Sequence, residues 1–289
     1  MNRKYKALAV KTRYWKPEDD YITDIINSIK NIVNDGDFVT ISEKAVSTAL
    51  GNLVDENKIK PSSLARFIAK YWMRIVWPYV LGPVCHLRKK TIDYLRDYPI
   101  EEGSRHKQLA LQQGGFLQAL MHGSEGGIDG SNLAFSYVCL PLENAQETVL
   151  ELQERIYNEL GKKVSVAIVD TDKTYSVKGF HFTPRPKPIK GIFSVGGVLA
   201  YVVGRSLKLQ KRATPLAFSG PSLSTEEAIE IAKVANRTRG AGAGRTVWDM
   251  AKNFKVSLTE VTWDMLKQTE HRPVVLIRFK VTKIQNAQK

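Results

Sequence analysis

The residues best suited to chemistry lie in Met121–Phe135, MHGSEGGIDGSNLAF. There Glu125, Asp129, Ser124, Ser131, Asn132 and His122 alternate with Gly123, Gly126, Gly127 and Gly130. Glycines at this density let the backbone adopt φ > 0 and approach a ligand closely. Asp129 offers a hard carboxylate oxygen, and Asn132 an amide that both donates and accepts. Turn chemistry alone would also place GIDGSN on a surface. A second acid shifts the balance toward a site. Val164–Val169 is a β-rich apolar run that ends directly in Asp170, Thr171 and Asp172. A carboxylate at the carboxyl end of a buried strand is where α/β proteins place ligand and metal groups.

These residues need elements to hold them. Tyr5–Val10 reads as a strand, and residues 20–34, with Ile22, Ile25, Ile26, Ile29 and Val33 at helical spacing, as an amphipathic helix. Asn34–Asp37 is a turn, and the strand Phe38–Ile41 runs into Ser42, Glu43 and Lys44, a phosphate contact by type. Ser62 and Ser63 suit the cap of a long helix whose aromatic stretch, Leu64–Tyr79, reads as core or dimer interface. The Arg88–Lys90 cluster reads as a solvated face, whereas Arg105–Lys107 leads toward the glycine-rich centre, and Arg105, His106 and Arg245 are expected as substrate or phosphate contacts.

A helix from Gln146 to Leu160, stopped by Gly161, delivers the Val164–Val169 strand and hence Asp170. His181–Lys190 carries three prolines and reads as an extended loop or flap. A glycine-rich apolar stretch, Gly191–Val203, leads to a basic patch ending at Arg212. Thr225–Asn236 is a helix capped by Ser224 or Thr225, with Glu226 and Glu227 against its dipole. After it, Gly240, Gly242 and Gly244 alternate between arginines and lead to Arg245, a pattern that suits an anion nest or a plain flexible loop. It matches neither the Walker pattern nor GxGxxG after a strand. Val274–Val281 is a terminal strand, and no internal repeat is evident.

A chain of 289 residues with 43% hydrophobic and 25% charged residues has a globular balance and length enough for a substantial core. The charge is the unusual feature: 43 Lys and Arg against 29 Asp and Glu, formally +14. That excess favours an anionic partner, whether nucleotide, small polyanion or nucleic acid. Cys85 and Cys139 are too few for a disulfide framework or a paired-thiol metal site and read as buried thiols of a reducing compartment. Neither a secretory leader nor a membrane span is expected, since Leu64–Val84 is interrupted by charges and prolines. The expected location is cytoplasmic.

Taken together, DGDFVTISEKAVSTALGN (35–52), SRH (104–106), GGIDGSN (126–132), LPLENA (140–145) and VAIVDTD (166–172) resemble the coenzyme F420-0:gamma-glutamyl ligase family. The resemblance runs over residues 7–175 of a single ligase-like unit and thins in the basic part, 176–289. It implies an α+β fold with mixed sheets and two interleaved lobes, and a homodimer. It further implies GTP as co-substrate with Mg2+ or Mn2+, and admits K+ as a further ion. By the resemblance, Asp129, Asp170 and Thr171 are metal ligands, while Ser42, Lys44 and Asn132 contact nucleotide. The family pattern S-K-A-E-G is replaced here by Ser47–Gly51, STALG, and F-G-R-P-W-R by Asp172–Val177, DKTYSV.

Two readings follow. One is a ligase that joins L-glutamate to an anionic acceptor through an acyl phosphate; no individual catalytic residue is assigned. The other is a diverged homologue that binds RNA, ribosome or another polyanion without turnover. The ligase reading expects Asp129 and Asp170 to converge about a divalent ion, with like-charge repulsion between them driving its affinity.

Overall fold

Strands form where β-branched and aromatic residues run together. The computed structural model describes residues 5–221 and 223–279. Within them lie β1 (Tyr5–Thr12), β2 (Phe38–Ser42), β3 (Leu53–Asp55), β4 (Tyr137–Cys139), β5 (Ser165–Val177), β6 (Phe180–Thr183), β7 (Phe193–Ser194), β8 (Gln210–Phe218) and β9 (His271–Phe279). The expected terminal strand is present as β9, and Val281 lies outside the described residues.

The main sheet runs β1-β9-β2-β5-β6-β7, with β8 paired to β5. β2 and β5 are parallel, with Phe38 opposite Ser165 and Ser42 opposite Val169. β9 is antiparallel to both its neighbours, and β8 is antiparallel to β5. The sheet is therefore mixed. Alternation along the strands feeds two apolar layers. Val274 and Leu276 join Val39, Ile41, Val166 and Ile168 on one face, under the helices Tyr21–Ile29 and Ala145–Leu160. Val275 and Ile277 join Phe38, Ile231 and Ala235 on the other, under the helix Thr225–Arg239. Burial on both faces explains why these strands read as continuous apolar runs.

The first helix is shorter than its periodicity suggests. Asp20 caps it by accepting from the Thr23 N–H, and it closes at Lys30. Val33 remains buried in the following turn, where Asp37 accepts from the Asn34 N–H at 2.9 Å. Apolar spacing thus continued past the helix that produced it.

β3 and β4 form a short antiparallel ribbon, and the chain between them builds a helical lobe. Its core includes Ile68, Met73, Trp77, Leu109, Met121 and Ile128. Val198, from the helix Gly197–Ser206, and Trp248, from the helix Val247–Phe254, pack against the same core. Late chain thus completes early chain, giving an α+β fold of two interleaved lobes. The aromatic helix begins as α-helix at Ser63–Phe67, with Ser62 as its cap, and continues as π-helix over Ile68–Leu81, around Pro78. With an i→i+5 turn, Trp72 and Trp77 both reach the Leu120 carbonyl, at 2.9 and 2.8 Å. The opposite face, with Phe67, Tyr71, Ile75 and Tyr79, is exposed.

Candidate active site

A cleft of about 760 Å³ opens between the glycine segment, the end of β5, the helical lobe and the start of the Val247–Phe254 helix. Asp129, Thr171, Arg105, His106 and Arg245 line it. Ser42, Lys44, Asn132, Asp170 and the glycines 240, 242 and 244 are not among its lining residues, and several of these position groups that are.

Lys44 is placed by the step from β2 into the helix Glu43–Ala49. Its ammonium donates to Asp129 Oδ2 at 2.8 Å, the Ser131 carbonyl at 2.8 Å and Ser131 Oγ at 2.7 Å. The Ser131 N–H donates to Asp129 Oδ1 at 2.7 Å. Burial works against the Asp129 charge, but Lys44 and the Ser131 donors outweigh it and hold the carboxyl below its ordinary pKa. Ser42 closes β2 and makes no capping bond with its side chain.

Asp170 has a different cation. Arg185 Nε donates to Asp170 Oδ2 at 2.8 Å, and the same guanidinium donates to Glu43 Oε1 and the Gly126 carbonyl. Arg185 is 2% exposed. It can lie there because Gly127, at φ +99°, has no side chain: a Cβ would come within 2.3 Å of the guanidinium. Glu43 is pushed up to about 7 by burial and the Asp170 charge, against the pull of Arg185 and the Leu142 N–H. Asp172 is raised well above the carboxylate range by burial and the same neighbour, and its buried Oδ2 lacks a hydrogen-bond partner among the described residues.

Arg239 lies near enough to Asp170 and Asp129 for both to act on its charge. The carboxylates therefore do not confront each other bare. Each is held by its own cation, Asp129 by Lys44 and Asp170 by Arg185. The sequence reading missed Arg185 because it sits between Pro184 and Pro186 in a segment that looked like a flap. In fact β6 covers the segment's beginning, and its arginine is buried in the site.

Asn132, at φ +56°, is an organiser of backbone. Its Oδ1 accepts from the N–H groups of Ala243 at 2.6 Å and Gly244 at 3.3 Å, and its Nδ2 donates to the Gly244 carbonyl at 2.8 Å. The glycine loop does present N–H groups inward, and the amide oxygen of Asn132 occupies two of them. Arg245 follows this loop at the cleft's edge.

A second charged group forms the wall on the helical lobe. His106 bonds Glu56 Oε1 through Nδ1 at 2.6 Å and Glu125 Oε2 through Nε2 at 3.1 Å. Fully buried Lys107 also donates to Glu125. Burial opposes the imidazolium, but Glu56 and Glu125 overcome it and raise His106 to about 10. Arg105 donates to Asn57 Oδ1 at 2.9 Å, and both residues line the cleft.

The hard oxygens of Asp129, Asp170 and Thr171 suit Mg2+ or Mn2+ by chemistry. Among the described residues no three His, Cys, Asp or Glu side chains group to hold an ion. Both Asp129 oxygens and Asp170 Oδ2 already accept from Lys44, Ser131 and Arg185, so an ion at these residues would compete with those donors.

The family model described as F420-0:gamma-glutamyl ligase matches residues 9–183, which include β2, the glycine segment and the end of β5. The chain belongs to this ligase family. An uncharacterized protein of Methanocaldococcus jannaschii is 37% identical over 288 residues, covering 95% of this chain and 97% of that protein. The coenzyme F420:L-glutamate ligase of the same organism is 28% identical over 212 residues, 72% of each chain. For this F420-0:gamma-glutamyl ligase family member, the altered stretches have structural counterparts. Thr48 is buried and donates to the Lys44 carbonyl at 2.8 Å, while Leu50 is exposed. Asp172–Val177 continues β5.

Proposed function

We propose that this protein is a GTP- and metal-dependent ligase that adds L-glutamate, in γ-linkage, to an anionic acceptor such as the coenzyme F420 precursor. The observation that carries the reading is a cleft at the end of β5 lined by Asp129 and Thr171, with Lys44 paired to Asp129 and Arg185 paired to the adjoining Asp170 behind that lining. A divalent ion bound there would screen the nucleotide's phosphate charge. An acceptor carboxylate oxygen attacks the terminal phosphorus, forming the acyl phosphate and releasing GDP. The glutamate amine then attacks the acyl carbon, phosphate leaves, and the surplus amine proton passes to solvent. Lys44 holds Asp129 at the cleft, and buried Arg185 keeps Asp170 in place behind it.

Calorimetry with GTP or ATP and Mg2+ or Mn2+, followed by glutamate-dependent phosphate release from candidate acceptors, tests the proposal. Asp129→Asn is expected to abolish metal-dependent nucleotide binding. It should also lower stability by about 1 kcal/mol, because Lys44 loses its counter-charge. If this variant binds nucleotide and metal like the parent, the ligase reading is wrong. The second reading draws on the formal charge of +14. It has the protein bind RNA, ribosome or another polyanion without turnover, and RNA retention with no effect of GTP and metal would favour it.

A further inference from the structure

Four cations on separate elements line one part of the cleft: Arg88, Lys173, Arg205 and Lys211. Arg88 precedes the helix Lys89–Arg96, Lys173 lies in β5, Arg205 in the helix Gly197–Ser206, and Lys211 in β8. Chain segments far apart in sequence are thus brought to one wall. Lys211 pairs with Tyr175 across β8 and β5, two residues from Lys173, and burial, then the charges of Arg205, Lys173 and Arg88, press it below its ordinary pKa.

What holds these cations in place is mostly uncharged. Arg205 donates to the carbonyls of Cys85 at 3.0 Å and His86 at 3.1 Å, with His86 held at φ +53°. Lys173 donates to the Thr171 carbonyl at 2.6 Å, and the charges of Asp172 and Asp170 act on it. The side chains of Arg88 and Lys211 make neither a hydrogen bond nor an ion pair among the described residues. A carbonyl fixes a cation's position without cancelling its charge, so Arg205 keeps its positive field. The Tyr175 hydroxyl lies close enough to feel Arg205, is buried, and has no hydrogen-bond partner among the described residues. It is a spare donor at the base of a cationic group.

We propose that Arg88, Lys173, Arg205, Lys211 and the Tyr175 hydroxyl form a subsite for a phosphate-type group of two or more negative charges, carried by the acceptor. A single carboxylate would leave much of the repulsion in place, whereas a phosphomonoester or diphosphate offers several oxygens and enough charge to balance it. Assigning the group to the acceptor rests on the ligase reading. The existence of the subsite does not.

Inorganic pyrophosphate titrated into the full-length protein by calorimetry is the direct probe. One equivalent is expected to bind, with affinity falling as salt rises. Lys211→Glu and, on a separate element, Arg88→Glu should each weaken it about tenfold or more. Lys30→Glu, on the exposed end of the first helix, should leave it unchanged. Equal pyrophosphate affinity in the parent and in Lys211→Glu, with an unaltered melting curve, overturns the subsite. So does equal weakening by Lys30→Glu. GTP binding separates the two sources of phosphate. Retained GTP affinity in Lys211→Glu assigns the subsite to the acceptor, and a parallel loss assigns it to the nucleotide and overturns the acceptor proposal. Failure of glutamate-dependent phosphate release would count against the ligase reading and leave the pyrophosphate result standing.

Discussion

His106 shows how a single side chain couples the cleft to pH. Its folded pKa of about 10 lies above the ordinary imidazole value of 6.5, so the folded state binds the proton more tightly than the unfolded state. The associated stability is fully present below about pH 6.5 and is lost as pH rises toward 10. His106→Gln should cost about 1–3 kcal/mol at pH 6, since Glu56 and Glu125 lose a charged donor. The cost should shrink by pH 9. Urea denaturation of parent and variant at both pH values checks this, and an unchanged gap would mean that His106 carries no proton there. Arg185 makes the complementary point about sequence. Arginine is ordinarily a surface residue, and only a tertiary fact, the open space beside Gly127, shows that this one belongs inside.

Among the elements, the loop through Gly240, Gly242 and Gly244 depends most on one residue outside it. Asn132→Ala removes acceptors for two loop N–H groups and the donor to the Gly244 carbonyl. The expected result is a loss of about 1–3 kcal/mol and faster tryptic cleavage after Arg239 and Arg245. Limited proteolysis read by mass spectrometry would show it, and a cleavage rate equal to the parent's would remove Asn132 from this role. Much of the element order was legible because its signals are local. Gly161 takes φ +66° at the end of the Ala145–Leu160 helix, and Ser224 with Glu227 forms a capping box. The π-helix was not legible, because its apolar residues fit an ordinary helical pattern nearly as well. In the site, Asp129 and Asp170 stood out as acids in apolar or glycine-rich surroundings. Their partners Lys44 and Arg185 are 85 and 15 residues away, and no spacing rule announces such pairs.

For the whole molecule, the apolar surface calls for a partner. Phe67, Tyr71, Ile75 and Tyr79 are exposed along the Ser63–Leu81 helix, and Leu199, Val203 and Leu207 along and just beyond the Gly197–Ser206 helix. Contiguous apolar faces of this kind mark association surfaces. A homodimer is expected in sedimentation at micromolar concentration, and Ile75→Glu should shift it toward monomer without lowering the monomer's own melting temperature. A monomeric parent would sink the idea.

The place of β9 carries a consequence for biogenesis. This strand, at residues 271–279, lies between β1 and β2. The ribosome therefore makes an interior slat of the sheet after both of its neighbours. Until it arrives, β1 and β2 each present an unfilled hydrogen-bonding edge, and those edges invite pairing with other chains. Closure must also wait for contacts between remote parts of the sequence, which slows folding. A nascent chain stalled before residue 271 is thus expected to be a chaperone client and aggregation-prone, while release of the finished chain lets one strand seal both edges.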